Sequence, residues 1–161
     1  LMPPFSSHEI IVSYLFAAVI RAFLVGFITL LVMLPFVEIY FNNIFFILIY
    51  SFFGSSFLAL LGIIAGIWAE KFDNMSGITN FIITPLTFLS GTFYLIEKLP
   101  EPFYTLCLFN PFYYIIDGFR FGFIGFSSSN LNYGISLIIM LNIILYFLSY
   151  KLLKKGWMLK T

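Results

Sequence analysis

The amino-acid sequence predicts an all-α, polytopic membrane protein with four transmembrane helices and short re-entrant or interfacial helices. Three observations carry this expectation. Apolar residues make up 61% of the chain and charged residues 9%, with a mean hydropathy of +1.05, against about 45–50% and about 25% in soluble domains. The charges divide the chain into long neutral runs: 22–37, 39–69, 74–96 and 121–150. A helix needs about 20 mostly apolar residues to cross a ~30 Å hydrocarbon core, and three of these runs exceed that length. The runs are continuous, without the ~10-residue alternation of an outer-membrane barrel.

The same arithmetic excludes several functions. Eight Lys+Arg against seven Asp+Glu leave a net charge of +1, so no basic face points to nucleic acid. The single cysteine, Cys107, cannot form an intrachain disulfide or a Cys-rich metal site; it reads as a small buried hydrophobe. The N-terminus carries no basic leader ahead of its apolar stretch. With Leu1 first and Met2 next, the chain reads as a stretch entered partway through a longer protein.

The elements follow in order. Residues 1–9 pair two prolines with Ser6-Ser7-His8-Glu9, and Ser6 or Ser7 is placed to cap a helix beginning near Glu9. Arg21 interrupts the apolar stretch from Ile10 to Val37. A cation at the centre of a span costs about 2.5–3.5 kcal/mol on insertion scales, less where it snorkels. The expected arrangement is an interfacial helix over 7–16 and a span over 17–37, with Arg21 near one interface. After a tight polar turn, 38–43, comes a second span over 44–69, closed by Trp68 at aromatic-belt depth. Within it Gly62-Ile-Ile-Ala-Gly66 is a GxxxG pattern, which lets backbones pack closely, inside the chain or against another subunit.

A third span, 76–94, carries Pro85 in its middle, where the missing N–H predicts a kink. Residues 95–132 mix Glu97, Lys98, Glu101, Asp117 and Arg120 with three prolines and many aromatics, the pattern of an external re-entrant or interfacial segment. The last span is 133–152, followed by a lysine-rich tail. Lys and Arg counts orient the whole. Six lie on the side of both chain ends (Arg21, Lys71 and four tail lysines) and two on the other (Lys98 and Arg120), so both ends are expected in the cytoplasm.

No intramembrane catalysis is expected. The one histidine, His8, stands in the N-terminal tail, and neither HExxH nor Gly-x-Ser-x-Gly nor a phosphate-binding loop occurs. The chain therefore cannot bind and hydrolyse ATP itself, and it calls for no cofactor and no metal. Asp117 and Arg120, i and i+3 on a helix, form either an external gate or substrate contact or a pair that neutralises itself.

Two stretches carry a resemblance. Ile83-Thr-Pro-Leu-Thr-Phe-Leu-Ser-Gly-Thr-Phe-Tyr94 is followed by Leu99-Pro100 and then by Asn110-Pro111-Phe-Tyr-Tyr-Ile-Ile-Asp117-Gly-Phe-Arg120. Together they resemble the signature of type-2 ABC exporter permeases, the membrane subunits of bacterial polysaccharide, lipo-oligosaccharide and drug exporters. Ala69-Glu-Lys-Phe-Asp73 resembles the family's cytoplasmic loop more loosely. Family permeases have six spans, so the whole chain, 1–161, is similar to the C-terminal two-thirds of that fold, without its first two spans.

The resemblance implies a permease subunit forming the pathway for a hydrophobic, lipid-linked or glycan-type substrate. It implies a bacterial inner membrane, a homodimer of permease chains and a separate cytoplasmic ABC ATPase. Pro85, Thr87, Ser90, Gly91, Asn110, Pro111, Asp117 and Arg120 fall on its motif, as possible pathway or gate residues. Ser7, His8, Glu9, Glu70, Lys71, Phe72 and Asp73 fall where cytoplasmic coupling segments contact the ATPase. An ion-coupled carrier and a non-functional remnant of a permease are the alternatives.

Overall fold

In this computed structural model the described residues are 6–69, 72–92 and 99–155, and among them every regular element is a helix. Helix α1 spans Ser7–Met33, α2 Ile44–Trp68, α3 Phe72–Ile78, α4 Thr84–Phe88, α5 Glu101–Leu108, α6 Pro111–Ile124 and α7 Leu131–Lys154; a π turn, Thr79–Ile83, joins α3 to α4. Three of them, α1, α2 and α7, are long and apolar enough to cross a membrane. With 27, 25 and 24 residues they measure about 36–40 Å at ~1.5 Å per residue, more than the ~30 Å hydrocarbon core. The chain is a polytopic membrane protein.

Helix α1 opens with a reciprocal cap. Ser6 Oγ accepts from Glu9 N at 3.3 Å and Glu9 Oε2 accepts from Ser6 N at 2.9 Å, which satisfies two of the amide donors that a helix start leaves free. The helix then runs unbroken to Met33, where the sequence suggested a break between 16 and 17 and an end at 37. Leu34 still has αR geometry and donates to Leu30 O, and the stop follows at Pro35, which has no N–H to continue the ladder to Leu31 O. Residues 34–37 fold back on the helix end, with Phe36 N and Val37 N donating to Met33 O at 2.9 and 3.0 Å. In the following loop Tyr40 Oη donates to Glu38 Oε2 at 2.6 Å, and that bond, more than its desolvation, raises the Tyr40 pKa above the ordinary phenol value.

Helix α2 is the centre of the bundle, packing on α1, α6 and α7. Asn43 caps it through Oδ1, which accepts from Phe45 N at 3.1 Å. Asn42 N and Asn43 N both donate to Gly122 O, at 3.0 and 2.8 Å, so the start of α2 is fastened to the end of α6. The buried core comprises Tyr50, Cys107, Tyr113, Tyr114 and Ile138. Cys107 is fully buried, as its size and polarity suggested.

The expected span 76–94 takes another form. Residues 72–88 are continuously helical and turn at Leu89–Thr92; residues 93 and 94 lie outside the described residues. Seventeen helical residues reach only about 25 Å. Of the segment 95–132, expected to be re-entrant or interfacial, the described part from 99 on contains α5 and α6, of eight and fourteen residues.

Candidate functional site

The signature residues converge at two junctions, and in both a helix end is closed by side chains from elsewhere in the chain. At the first junction α4 stops. Pro85 occupies its first turn and has no N–H to give. Just ahead of it the helix widens into the π turn, in which Thr84 donates to Thr79 O through both its backbone N–H and its Oγ1, the latter at 2.9 Å. Such widened turns relieve a ladder that cannot continue in α register.

Past Phe88 the last carbonyls of α4 lack helical partners, and in a membrane protein each must find one. Thr87 O accepts from Ser90 Oγ and, at 3.3 Å, from Thr92 Oγ1. Leu86 O accepts from Asn110 Nδ2 at 2.6 Å, and Leu89 O accepts from Cys107 Sγ at 2.9 Å. Gly91 turns the chain away with φ +75°, a left-handed conformation that glycine adopts without a Cβ clash. Thr87 Oγ1 turns back onto Thr84 O at 2.8 Å.

Asn110 serves a second helix as well. Its Oδ1 accepts from Phe112 N at 3.0 Å, capping α6, whose first residue is Pro111. One amide therefore closes the end of α4 and the start of α6, 24 residues apart in sequence. Asn110 and Ser90 are both buried, at 3% and 0% exposure. Pro85, Thr87, Ser90, Gly91, Asn110 and Pro111 thus form a single structural unit, to which Cys107 belongs although its sequence context gave no hint of a partner.

The second junction is built on Asp117, 1% exposed in the middle of α6. Its Oδ1 accepts from Ser128 N at 3.2 Å, and its Oδ2 accepts from Ser129 N at 2.9 Å and Ser129 Oγ at 2.7 Å. Arg120 Nη2 stands 3.5 Å from Oδ1. The i, i+3 pairing anticipated from sequence forms, but three of the carboxylate's four partners are donors of the 126–130 turn. The sequence showed that turn as Ser-rich without showing what its serines bind. A carboxylate so engaged is a structural anchor and has no lone pair free to act as a base. Arg120 Nε is buried without a hydrogen-bond partner among the described residues. Among the described residues no group of His, Cys, Asp and Glu is arranged to hold a metal ion.

The glycines divide differently from the pattern read in the sequence. A Cβ added to Gly62 or Gly66 would meet nothing within 4 Å. Both glycines line a cavity of about 420 Å³ bounded by α1, α2, α3 and the end of α7. Close approach within the chain occurs instead at Gly118 and Gly122, a second GxxxG on α6 that the sequence reading passed over. A Cβ on Gly118 would overlap the Tyr50 ring, and one on Gly122 would overlap the Ile47 side chain.

Of the expected coupling residues, Ser7, His8 and Glu9 form the first turn of α1. His8 Nδ1 is hydrogen-bonded to Tyr146 Oη on α7, and Glu9 is committed to the cap. Phe72 and Asp73 begin α3, where Asp73 is exposed. Glu70 and Lys71 lie outside the described residues. A separate, wholly apolar cavity of about 500 Å³ opens between α2, the 72–88 helix and the start of α6.

The chain is similar to known proteins along almost its whole length. The ABC-2 type transporter family matches residues 1–124. The proteins called inner membrane transport permease YadH of Escherichia coli K12, Escherichia coli O157:H7 and Shigella flexneri are each 30% identical to it over 156 residues, 97% of this chain. The chain spans 61% of the length of those curated relatives. No solved structure gives a significant match. By the family match over 1–124, together with 30% identity to these permeases over 97% of its length, this chain belongs to the ABC-2 type transporter family.

Proposed function

We propose that the chain is part of the membrane-spanning permease of an ATP-driven exporter in a bacterial inner membrane. The family match carries this reading, and the chain's chemistry supports it. These 161 residues contain long apolar helices and no phosphate-binding loop. In this proposal energy for transport comes from a separate cytoplasmic ABC ATPase, in keeping with the relatives' name, inner membrane transport permease.

In this reading two permease chains pair around the pathway, and both ends of the chain, with the 70–75 segment, face the cytoplasm. The lysines of the C-terminal region support that orientation by the positive-inside rule. Half-buried Gly62 and exposed Gly66, with open space where a Cβ would stand, suit packing against a second chain or a further segment. Ser7, His8, Glu9 and the 70–73 segment, Glu70, Lys71, Phe72 and Asp73, contact the ATPase. Pro85, Thr87, Ser90, Gly91, Asn110, Pro111, Asp117 and Arg120 hold the short helices over the outer end of the pathway. The substrate is a hydrophobic, lipid-linked or glycan-type molecule, which the aromatic-rich 95–132 segment would shield.

Transport by the full-length protein in membrane vesicles tests the proposal. It should stop on ATP depletion and survive an ionophore that dissipates the ion gradient. Transport that survives ATP depletion and collapses with the gradient would establish an ion-coupled carrier instead.

A further inference from the structure

Arg21 stands fourteen residues after Ser7 and twelve before Met33, at the midpoint of α1. Neighbouring helices fix the same depth independently. Ala18 and Ala59 line one cavity and Ala22 and Ser51 another, so Arg21 is level with the middle of α2. With a ~30 Å core centred on α1, in place of the 17–37 placement expected from the sequence, either edge is roughly 15 Å away along the helix, more than two turns and too far for one side chain to snorkel.

Among the described residues the guanidinium has no hydrogen-bond or ion-pair partner. Arg21 is exposed, and the ion pair found among the described residues is the one between Arg120 and Asp117. The other described carboxylates lie elsewhere: Glu9 in the α1 cap, Glu38 on Tyr40, and Asp73 and Glu101 at helix starts. Around Arg21 on the same face are Ala17, Leu24 and Val25, all exposed and none able to accept a hydrogen bond through its side chain. The opposite face of α1, with Leu15, Val19 and Phe23, is the one drawn toward the bundle.

A permanent cation at this depth requires water or an anion beside it. Resting on the permease reading, we propose that the Arg21 face of α1 borders the aqueous translocation pathway and that Arg21 binds an anionic group, a carboxylate or phosphate, of the transported molecule. The guanidinium offers a planar fork of donors that matches such oxyanions in bidentate geometry. Set in an otherwise apolar wall, one fixed positive charge concentrates anions and disfavours cations. Selection for negative charge in the cargo follows.

The test places a cysteine one turn to either side, Ala17→Cys or Val25→Cys, in the full-length assembled protein in membrane vesicles. Two thiol reagents of similar size serve as probes, an anionic sulfonatoethyl and a cationic trimethylammonioethyl methanethiosulfonate, with the unsubstituted protein as the blank. Both positions should react with both probes and favour the anionic one by about tenfold. That preference should persist with Arg21→Lys, disappear with Arg21→Gln, and fall as added salt screens the charge.

The salt series alone decides the matter should Arg21→Gln fail to assemble. Positions that stay unreactive would show that this face of α1 meets lipid or another segment and borders no aqueous pathway, and would overturn the proposal. Reaction with no charge preference, or with one that salt leaves unchanged, would overturn it as well. These rates are read without ATP, so failure here leaves ATP dependence standing, and loss of ATP dependence leaves the labelling result standing.

Discussion

The ring of Tyr50 lies directly against the α-carbon of Gly118, in space that any side chain at 118 would fill. Tyr50 is 2% exposed and its Oη donates to Leu131 O at 3.2 Å, at the start of α7. One residue of α2 therefore gauges the spacing of α6 and α7 together, and Gly118 supplies the gap that makes this possible.

Gly118→Ala should destabilise the protein by about 1–3 kcal/mol, the usual cost of overpacking. Gly62→Ala should be neutral or stabilising within this chain, because its Cβ meets nothing and alanine is favoured over glycine in helix by about 1 kcal/mol. Thermal unfolding of both variants in detergent checks the contrast. Equal midpoints would remove α6 as the site of close packing.

Asn110→Ala removes the cap on α6 and the donor to Leu86 O together. A lost cap costs about 0.5–2 kcal/mol and a buried carbonyl left alone about 1–3 kcal/mol, so a loss of several kcal/mol or failure to accumulate in the membrane is expected. Asn110→Asp keeps the acceptor for Phe112 N and replaces the donor facing Leu86 O with an oxygen. Its stability should fall with that of Asn110→Ala, and a wild-type denaturation midpoint would show that the bond to Leu86 carries nothing.

Asp117→Asn preserves shape but turns one acceptor oxygen into a donor, facing the Ser128 N–H at Oδ1 or the two Ser129 donors at Oδ2. The 126–130 turn should loosen, at a cost of about 1–3 kcal/mol for the unmet group. Amide hydrogen exchange at Ser128 and Ser129 reads the effect directly: it should rise at least tenfold, and unchanged protection would sink the anchoring role.

Asn142 joins α7 to α2 by donating from Nδ2 to Phe53 O at 3.1 Å, while its Oδ1 is buried without a hydrogen-bond partner among the described residues. Interhelical hydrogen bonds of this kind average about 0.6 kcal/mol in membranes, and Asn142→Leu also removes the orphaned oxygen. The variant should stay within about 1 kcal/mol of wild type in a denaturation series. A loss of 3 kcal/mol or more would mean that Oδ1 has a partner in the assembled protein.

The membrane class, the long apolar helices α2 and α7 and a capped helix start near Glu9 were legible in the sequence because each rests on local properties. The Asp117–Arg120 pair was legible for the same reason, since i, i+3 is a local relation. Helix α1, by contrast, was expected as two pieces because Arg21 interrupts its apolar run. What bonds Asn110 to Leu86, or Ser129 to Asp117, is a meeting of distant segments, and no spacing in the chain announces it. Two GxxxG patterns occur, at 62–66 and 118–122, and composition does not reveal which one a neighbouring helix approaches. The apolar count from 74 to 96 suggested a full span, whereas Ser90 and Gly91 end the helix near Phe88 by supplying a side-chain cap and a left-handed turn.

The proposed drive for this membrane unit is a separate ATPase. Its most direct test is the composition of the complex recovered when the full-length protein is tagged and purified from its native membranes in mild detergent. An ATP-binding subunit should co-purify in fixed stoichiometry, and the complex should hydrolyse ATP. A pure, transport-competent preparation in which no subunit binds nucleotide would contradict the account.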